Sequence, residues 1–178
     1  LPFGMTYVAG SATVWRPFPH TNQVRDLFSY KVYTNQDGNV DWLGAWTEVG
    51  DDGVVTNGNI QLTVDNAVFP GHAFALRTAG TSAVLRAANL AGYTNATVQF
   101  EYRRTGLDAA GDALLVSASS NNGASFTQIG QVGGLTNDGD YAQAAFNLTP
   151  YIATNTILRF SGSATRDTND YIWLDDVR

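Results

Sequence analysis

Apolar and polar residues alternate two by two along most of this chain, in short runs that are cut by Gly, Asn, Asp and Thr at intervals of about ten residues. In the stretch ATVQFEYRR, Ala96, Val98, Phe100 and Tyr102 fall on one face of a strand, and Thr97, Gln99, Glu101 and Arg103 fall on the other. The same alternation predicts strands over residues 4–9, 12–15, 23–33, 42–49, 59–64, 73–78, 83–87, 96–104, 113–119, 126–131, 141–148, 156–161 and 171–178. Helical periodicity is nearly absent. One helical turn is predicted over 148–153, where Thr149 and Pro150 supply a cap and a first-turn proline. Asn121-Asn122-Gly123 has the chemistry of a tight hairpin turn, and Asp138-Gly139-Asp140 marks another. Many short strands with regular turn signals predict an all-β sandwich of two antiparallel sheets.

Composition narrows the picture. A chain of 178 residues suits one domain, and 44% hydrophobic residues are ample for a core. Charged residues make up only 15%, so surface polarity falls to Asn, Thr, Ser and Gln, a habit of secreted and surface proteins. Net charge is −6 and the only lysine is Lys31, which speaks against nucleic acid and anionic membrane as partners. No apolar run approaches membrane-spanning length. There is no cysteine, so disulfides and thiolate metal sites are excluded. Residues 1–22, ending in the breaker RPFPH, form an apolar, β-rich segment distinct from the body at 23–178. They read as first strands of the domain or as an extended arm donated to a neighbour.

From Val24 onward the chain resembles a MAM-like, galactose-binding-like β jelly roll found in bacterial secreted and cell-surface proteins. The matching pieces are VRDLF, SYKVYTNQDGNVDWLGAWTEVGDDG, ATVQFEYRRTGLDAAGDALLVSASSNNGASFTQIG, FNLTPYIATNTILRFSG and YIWLDDVR. An acidic residue is usual in the family where Leu27 stands, and residues 1–22 are not covered. The resemblance implies a jelly-roll sandwich and, in many members, a structural calcium ion between first and last strands. Carried over residue by residue, its ligands here are Asp26 and either Asp175 or Asp176, with Asp176 taken as the inward one.

Candidate chemistry is sparse. The two histidines, His20 and His72, sit beside prolines or glycines, and no Gly-x-Ser-x-Gly elbow exists. Glu48 and Glu101 are the only glutamates, and Glu101 reads as half of a cross-strand ion pair with an arginine. These residues argue for a non-catalytic protein. Trp42 and Trp46, on one side of the stretch DWLGAWTEVGDDG, admit two readings: part of a core, or a platform on which a sugar ring stacks. The stretch recurs in the resembling family whatever the host protein does, which favours core.

The leading expectation is an extracellular structural or adhesive protein. It would assemble with copies of itself into a surface filament or layer by donating the arm, with Met5, Tyr7, Val8, Ala9 and Val14 filling a neighbour's groove. The alternatives are a calcium-stabilised carbohydrate-binding module, with a glycan as partner, and an accessory domain of a secreted hydrolase or protease.

Overall fold

The computed structural model describes residues 21–65 and 74–178. Ten strands follow in order: β1 (Thr47–Val49), β2 (Ile60–Thr63), β3 (Ala75–Thr78), β4 (Ala83–Ala88), β5 (Thr97–Thr105), β6 (Ala113–Ser119), β7 (Thr127–Gly133), β8 (Ala142–Asn147), β9 (Thr156–Gly162) and β10 (Tyr171–Asp175). They form two five-stranded antiparallel sheets, β1-β4-β9-β6-β7 and β2-β3-β10-β5-β8. A single 3₁₀ turn, Thr149–Tyr151, stands where the helical turn was expected. The all-β jelly-roll expectation holds.

The sheets meet through their alternate residues, as a period of two requires. Ile60, Leu62, Leu76, Val98, Phe100, Ile172 and Leu174 come from one sheet, and Val84, Leu114, Val116, Leu158 and Phe160 from the other. Phe100 and Phe160 touch edge to face across the interface at 5.1 Å. Asn122 (φ 60°) and Gly123 (φ 82°) both occupy the left-handed region that a tight primed turn demands. Gly162 is required by proximity: a Cβ there would lie 1.8 Å from the carbonyl oxygen of Gly80.

Two predicted strands are not strands. Of residues 23–33 only Asp26 pairs, as an isolated antiparallel bridge to Val177. The Asp26 carboxylate accepts the amide N–H of Phe28 at 2.8 Å, and Phe28 takes a φ of 48°, which ends any ladder. Of residues 42–49 only β1 joins the sheet. The predicted strands at 4–9 and 12–15, the arm residues Met5, Tyr7, Val8, Ala9 and Val14, and both histidines lie outside the described residues.

Residues 21–46 are held by one buried ion pair. Arg86 points inward from β4 and is 1% exposed. Its guanidinium donates to Asp26 Oδ2 (2.6 Å), the Gly44 carbonyl (2.8 Å) and the Asn35 carbonyl (2.8 Å). It also lies over the rings of Trp42 (4.8 Å) and Trp46 (5.5 Å). Trp46 Nε1 donates to the same Asp26 oxygen at 2.9 Å. Burial holds the Asp26 carboxyl above its ordinary range and the Arg86 guanidinium below its own, while each group's attraction for the other opposes the shift.

Candidate functional site

The residues singled out in sequence fall into three groups. Asp26 and Asp176 do approach through the Asp26–Val177 bridge, but arginines stand where the calcium ion was expected. Asp26 is matched by Arg86, and Asp176 by Arg25 (2.6 Å) and Arg178. With Leu27 in place of an acid, three guanidinium groups surround these two carboxylates and offset their charge. Trp46 is 2% exposed with its N–H engaged, so its platform reading gives way to core. Trp42 is also in the core cluster, although it borders a cleft described below. The acids of DWLGAWTEVGDDG cap a turn: Glu48 accepts from Tyr33 Oη (2.5 Å) and Gly53 N (2.7 Å), Asp51 from Ile60 N (2.6 Å), and Asp52 from Val54 N (2.8 Å). Burial, with the bond to Glu48 and the charges of Glu48, Asp51 and Asp52, raises the Tyr33 phenol far above its usual range.

A different surface gathers aromatic and polar side chains. On β2-β3-β10-β5-β8 the core-facing residues, among them Ile60, Leu62, Leu76, Val98, Phe100, Ile172 and Leu174, alternate with a second set that occupies the outer face. Strand register lines up Gln61, Arg77, Trp173 and Arg103 in one row across four strands. Asp175, Glu101 and Gln143 form the next row, and Tyr171 pairs with Thr105 on the other side of the first. Tyr171 and Trp173 meet edge to face at 6.4 Å and are both half-buried. Arg77 lies over Tyr171 (4.7 Å) and Arg103 beside Trp173 (5.6 Å).

These side chains are held in place by bonds that fix their angles. Trp173 Nε1 donates to Thr105 Oγ1 at 3.2 Å. Arg103 forms a two-pronged pair with Asp65, which also accepts the Tyr141 hydroxyl at 2.8 Å. That pairing raises the Arg103 guanidinium, and burial with the Asp65 charge raises the Tyr141 phenol beyond reach of ordinary pH. Glu101 was expected to pair with an arginine. Instead, its Oε1 accepts from Gln143 Nε2 at 3.3 Å, and its Oε2, withdrawn from solvent, has no hydrogen-bond partner. A depression of about 120 Å³ opens beside it, lined by Gln99, Glu101, Gln143 and Arg178 among others. An unpartnered acceptor one row from the fixed Trp173 ring suits a ligand hydroxyl reaching in through the depression while the ligand's apolar face lies on the ring.

The larger cleft, about 310 Å³, opens at one end of the sandwich between Val24, Trp42, Leu90, Tyr93, Val98 and Leu158. Trp42 Nε1 is buried there without a hydrogen-bond partner. Two groups of acids are close enough to share an ion: Glu48, Asp51 and Asp52, and Asp108, Asp112 and Asp170.

The alternation of YIWLD could have shown that Tyr171, Trp173 and Asp175 share a face. The row they complete depends on β10 lying between β3 and β5, which no local pattern states.

No family model matches the chain, and no curated protein matches it. Solved structures share its fold. TmCBM61, determined in complex with β-1,4-galactotriose, superposes with a TM-score of 0.52 at 13% identity over 74% of this chain and 85% of that one. The CBM22-1 xylan-binding domain of Paenibacillus barcinonensis Xyn10C gives 0.51 at 12% identity over 88% and 92%. The CBM22-1–GH10 modules of Clostridium thermocellum xylanase 10B, complexed with xylohexaose, give 0.51 at 12% identity over 86% of this chain and 27% of that one. The chain therefore shares the jelly-roll β-sandwich fold of these modules; the MAM-like part of the resemblance finds no counterpart among them. They overturn the expectation of a strand-donating filament subunit: the structures named above are, or contain, carbohydrate-binding modules.

Proposed function

We propose that this protein is a non-catalytic carbohydrate-binding module of a secreted or cell-surface protein, and that it takes an oligosaccharide on the outer face of β2-β3-β10-β5-β8. One observation carries the reading: Trp173 stands fixed and half-exposed one row from Glu101, whose Oε2 has no hydrogen-bond partner among the described residues, and Tyr171 packs on the far side of Trp173. Sugar recognition asks for this combination, with a ring for the C–H face of a pyranose and oriented acceptors for its hydroxyls. The sandwich neighbours that were solved with galactotriose and xylohexaose support the ligand class. The unit carrying the face begins near residue 23.

The test is binding to a glycan array, followed by titration calorimetry on soluble galactan and xylan. Trp173→Ala and Glu101→Gln should each weaken the best ligand at least about tenfold, roughly 1.4 kcal/mol, with near-ultraviolet circular dichroism and melting temperature retained. Absence of any glycan ligand for the wild type, or full binding by both variants, refutes the assignment. The end cleft, lined by Trp42 and Tyr93 among others, is a second location for the same activity. Binding that survives Trp173→Ala and is lost in Tyr93→Ala would place the sugar there.

A further inference from the structure

The loop between β5 and β6 and the loop between β9 and β10 meet at the end of the sandwich opposite Asp26. Gly106 (φ 83°) packs so tightly on the second loop that a Cβ would lie 2.4 Å from the Asn169 carbonyl oxygen. At this junction one carboxylate oxygen each from Asp108, Asp112 and Asp170 lies within 4.8 Å of the others. Asp108 is exposed, whereas Asp112 is 0% and Asp170 1% exposed.

Two of these acids are left with an unused oxygen in a place that water does not reach. Asp112 Oδ2 accepts from the amides of Asp108 (3.1 Å) and Ala109 (2.7 Å), and Asp170 Oδ2 from that of Asp167 (2.7 Å). The Oδ1 atoms of both are buried and have no hydrogen-bond partner among the described residues, and the Thr165 side chain lies close to that of Asp112. An isolated buried carboxylate oxygen is costly, so two acids of one cluster that each hold such an oxygen call for a cation. The one nearby cation, Arg166, does not fill that role. Its guanidinium donates to the carbonyls of Thr78 and Asp170 and lies near the Thr78 hydroxyl, and it forms no ion pair with the three acids among the described residues. The carboxylates of Asp108, Asp112, Asp167 and Asp170 outnumber the Arg166 guanidinium at this junction, an excess of negative charge that a divalent ion offsets.

We propose that Asp108, Asp112 and Asp170 form a binding site for one hard divalent cation, calcium in preference to magnesium, that staples the β5–β6 and β9–β10 loops together. All-oxygen carboxylate donors select a hard ion. Calcium accepts irregular sites built from several carboxylate oxygens, whereas magnesium demands near-ideal octahedral geometry and keeps several waters, which a cluster with two buried ligands does not favour. The site stands apart from the Asp26–Asp176 pair, which arginines neutralise, and it is independent of the sugar reading.

The experiment is calorimetric titration of the full chain, freed of metal by chelator, with calcium chloride and separately with magnesium chloride, alongside thermal melts. One calcium equivalent should bind. At a hundredfold excess over Kd, the melting temperature should rise by about 5–10 °C, the increment expected for a native-state ligand on a domain of this size. Asp108→Asn removes an exposed ligand that makes no side-chain bond of its own described here, so it should fold normally, bind calcium at least tenfold more weakly and lose most of the thermal shift. Asp170→Asn should do the same. Several outcomes overturn the proposal: no heat and an unchanged melt in calcium; full calcium binding in both variants; loss of binding only in Asp51→Asn, which would put the ion in the other acidic group; and equal affinity for magnesium, which would remove the calcium preference.

Discussion

Replacing Arg86 with methionine tests the hub on which residues 21–46 depend. The substitution keeps a flexible apolar stem under Trp42 and Trp46 but removes every donor of the guanidinium. Asp26 would then keep only Trp46 Nε1 and the Phe28 amide as partners, and the Gly44 and Asn35 carbonyls would lose their donors. Removing one member of a fully buried pair costs about 3–5 kcal/mol, because the other charge stays behind in a dry site. Against a total stability of about 5–15 kcal/mol, that is a large fraction. In urea, with a slope of about 2–3 kcal/mol/M for a chain of this length, the midpoint should fall by about 1–2 M. The loss should also depend on pH. Arg86 favours the ionised form of Asp26, and burial opposes it. Without Arg86 the folded pKa of Asp26 climbs further above its unfolded value of about 3.9. A raised folded pKa leaves stability intact below the unfolded value and removes it as pH rises through the folded one. The variant's deficit is therefore smallest near pH 4 and grows toward neutrality. Pairing Arg86→Met with Asp26→Leu should recover most of the loss, since an apolar pair leaves no buried charge. A deficit under about 1 kcal/mol, or one that is the same at pH 4.5 and pH 7.5, would refute the pairing as the hub.

Two further outcomes follow from the packing and the surface charges. Gly162→Ala must push β9 off the Gly80 carbonyl, a backbone obstacle that cannot rotate away, so it should destabilise by about 1–3 kcal/mol in a urea melt. Arg104 holds Asp138 through two bonds, at 2.8 and 2.9 Å, and lowers its carboxyl below the ordinary value. A depressed folded pKa gives stability that is present above the unfolded value near 3.9 and lost as pH falls through the folded one, so Asp138→Asn should flatten the stability curve below about pH 4.

Alternation alone determined most of the sandwich. β6 begins and ends where its run of apolar and polar residues does, and β2, β4, β5, β8 and β9 depart from the expected limits by a residue or so, because a strand with one buried face must repeat every two residues. The exceptions are the segments where a side chain competes with the ladder. Asp26 takes the Phe28 amide for itself, and Arg86 draws the carbonyls of Asn35 and Gly44, so residues that alternate like strands run instead as an irregular chain. Nothing local distinguishes an aspartate that faces water from one that meets an arginine 60 positions later.

The candidate sites divide the same way. The polar face of β5 and the aromatic face of β10 are each legible in nine or fewer consecutive residues. That Trp173 stands opposite Arg103 on one side and Arg77 on the other, with Asp65 and Tyr141 closing over them, is a matter of strand order. The sequence by itself determined which residues could lie inward and which outward, since that is fixed by the pleat. Only the tertiary structure decided which outward residues share a surface and which carboxylates meet arginines or one another, since those neighbours come from strands and loops far apart in the chain.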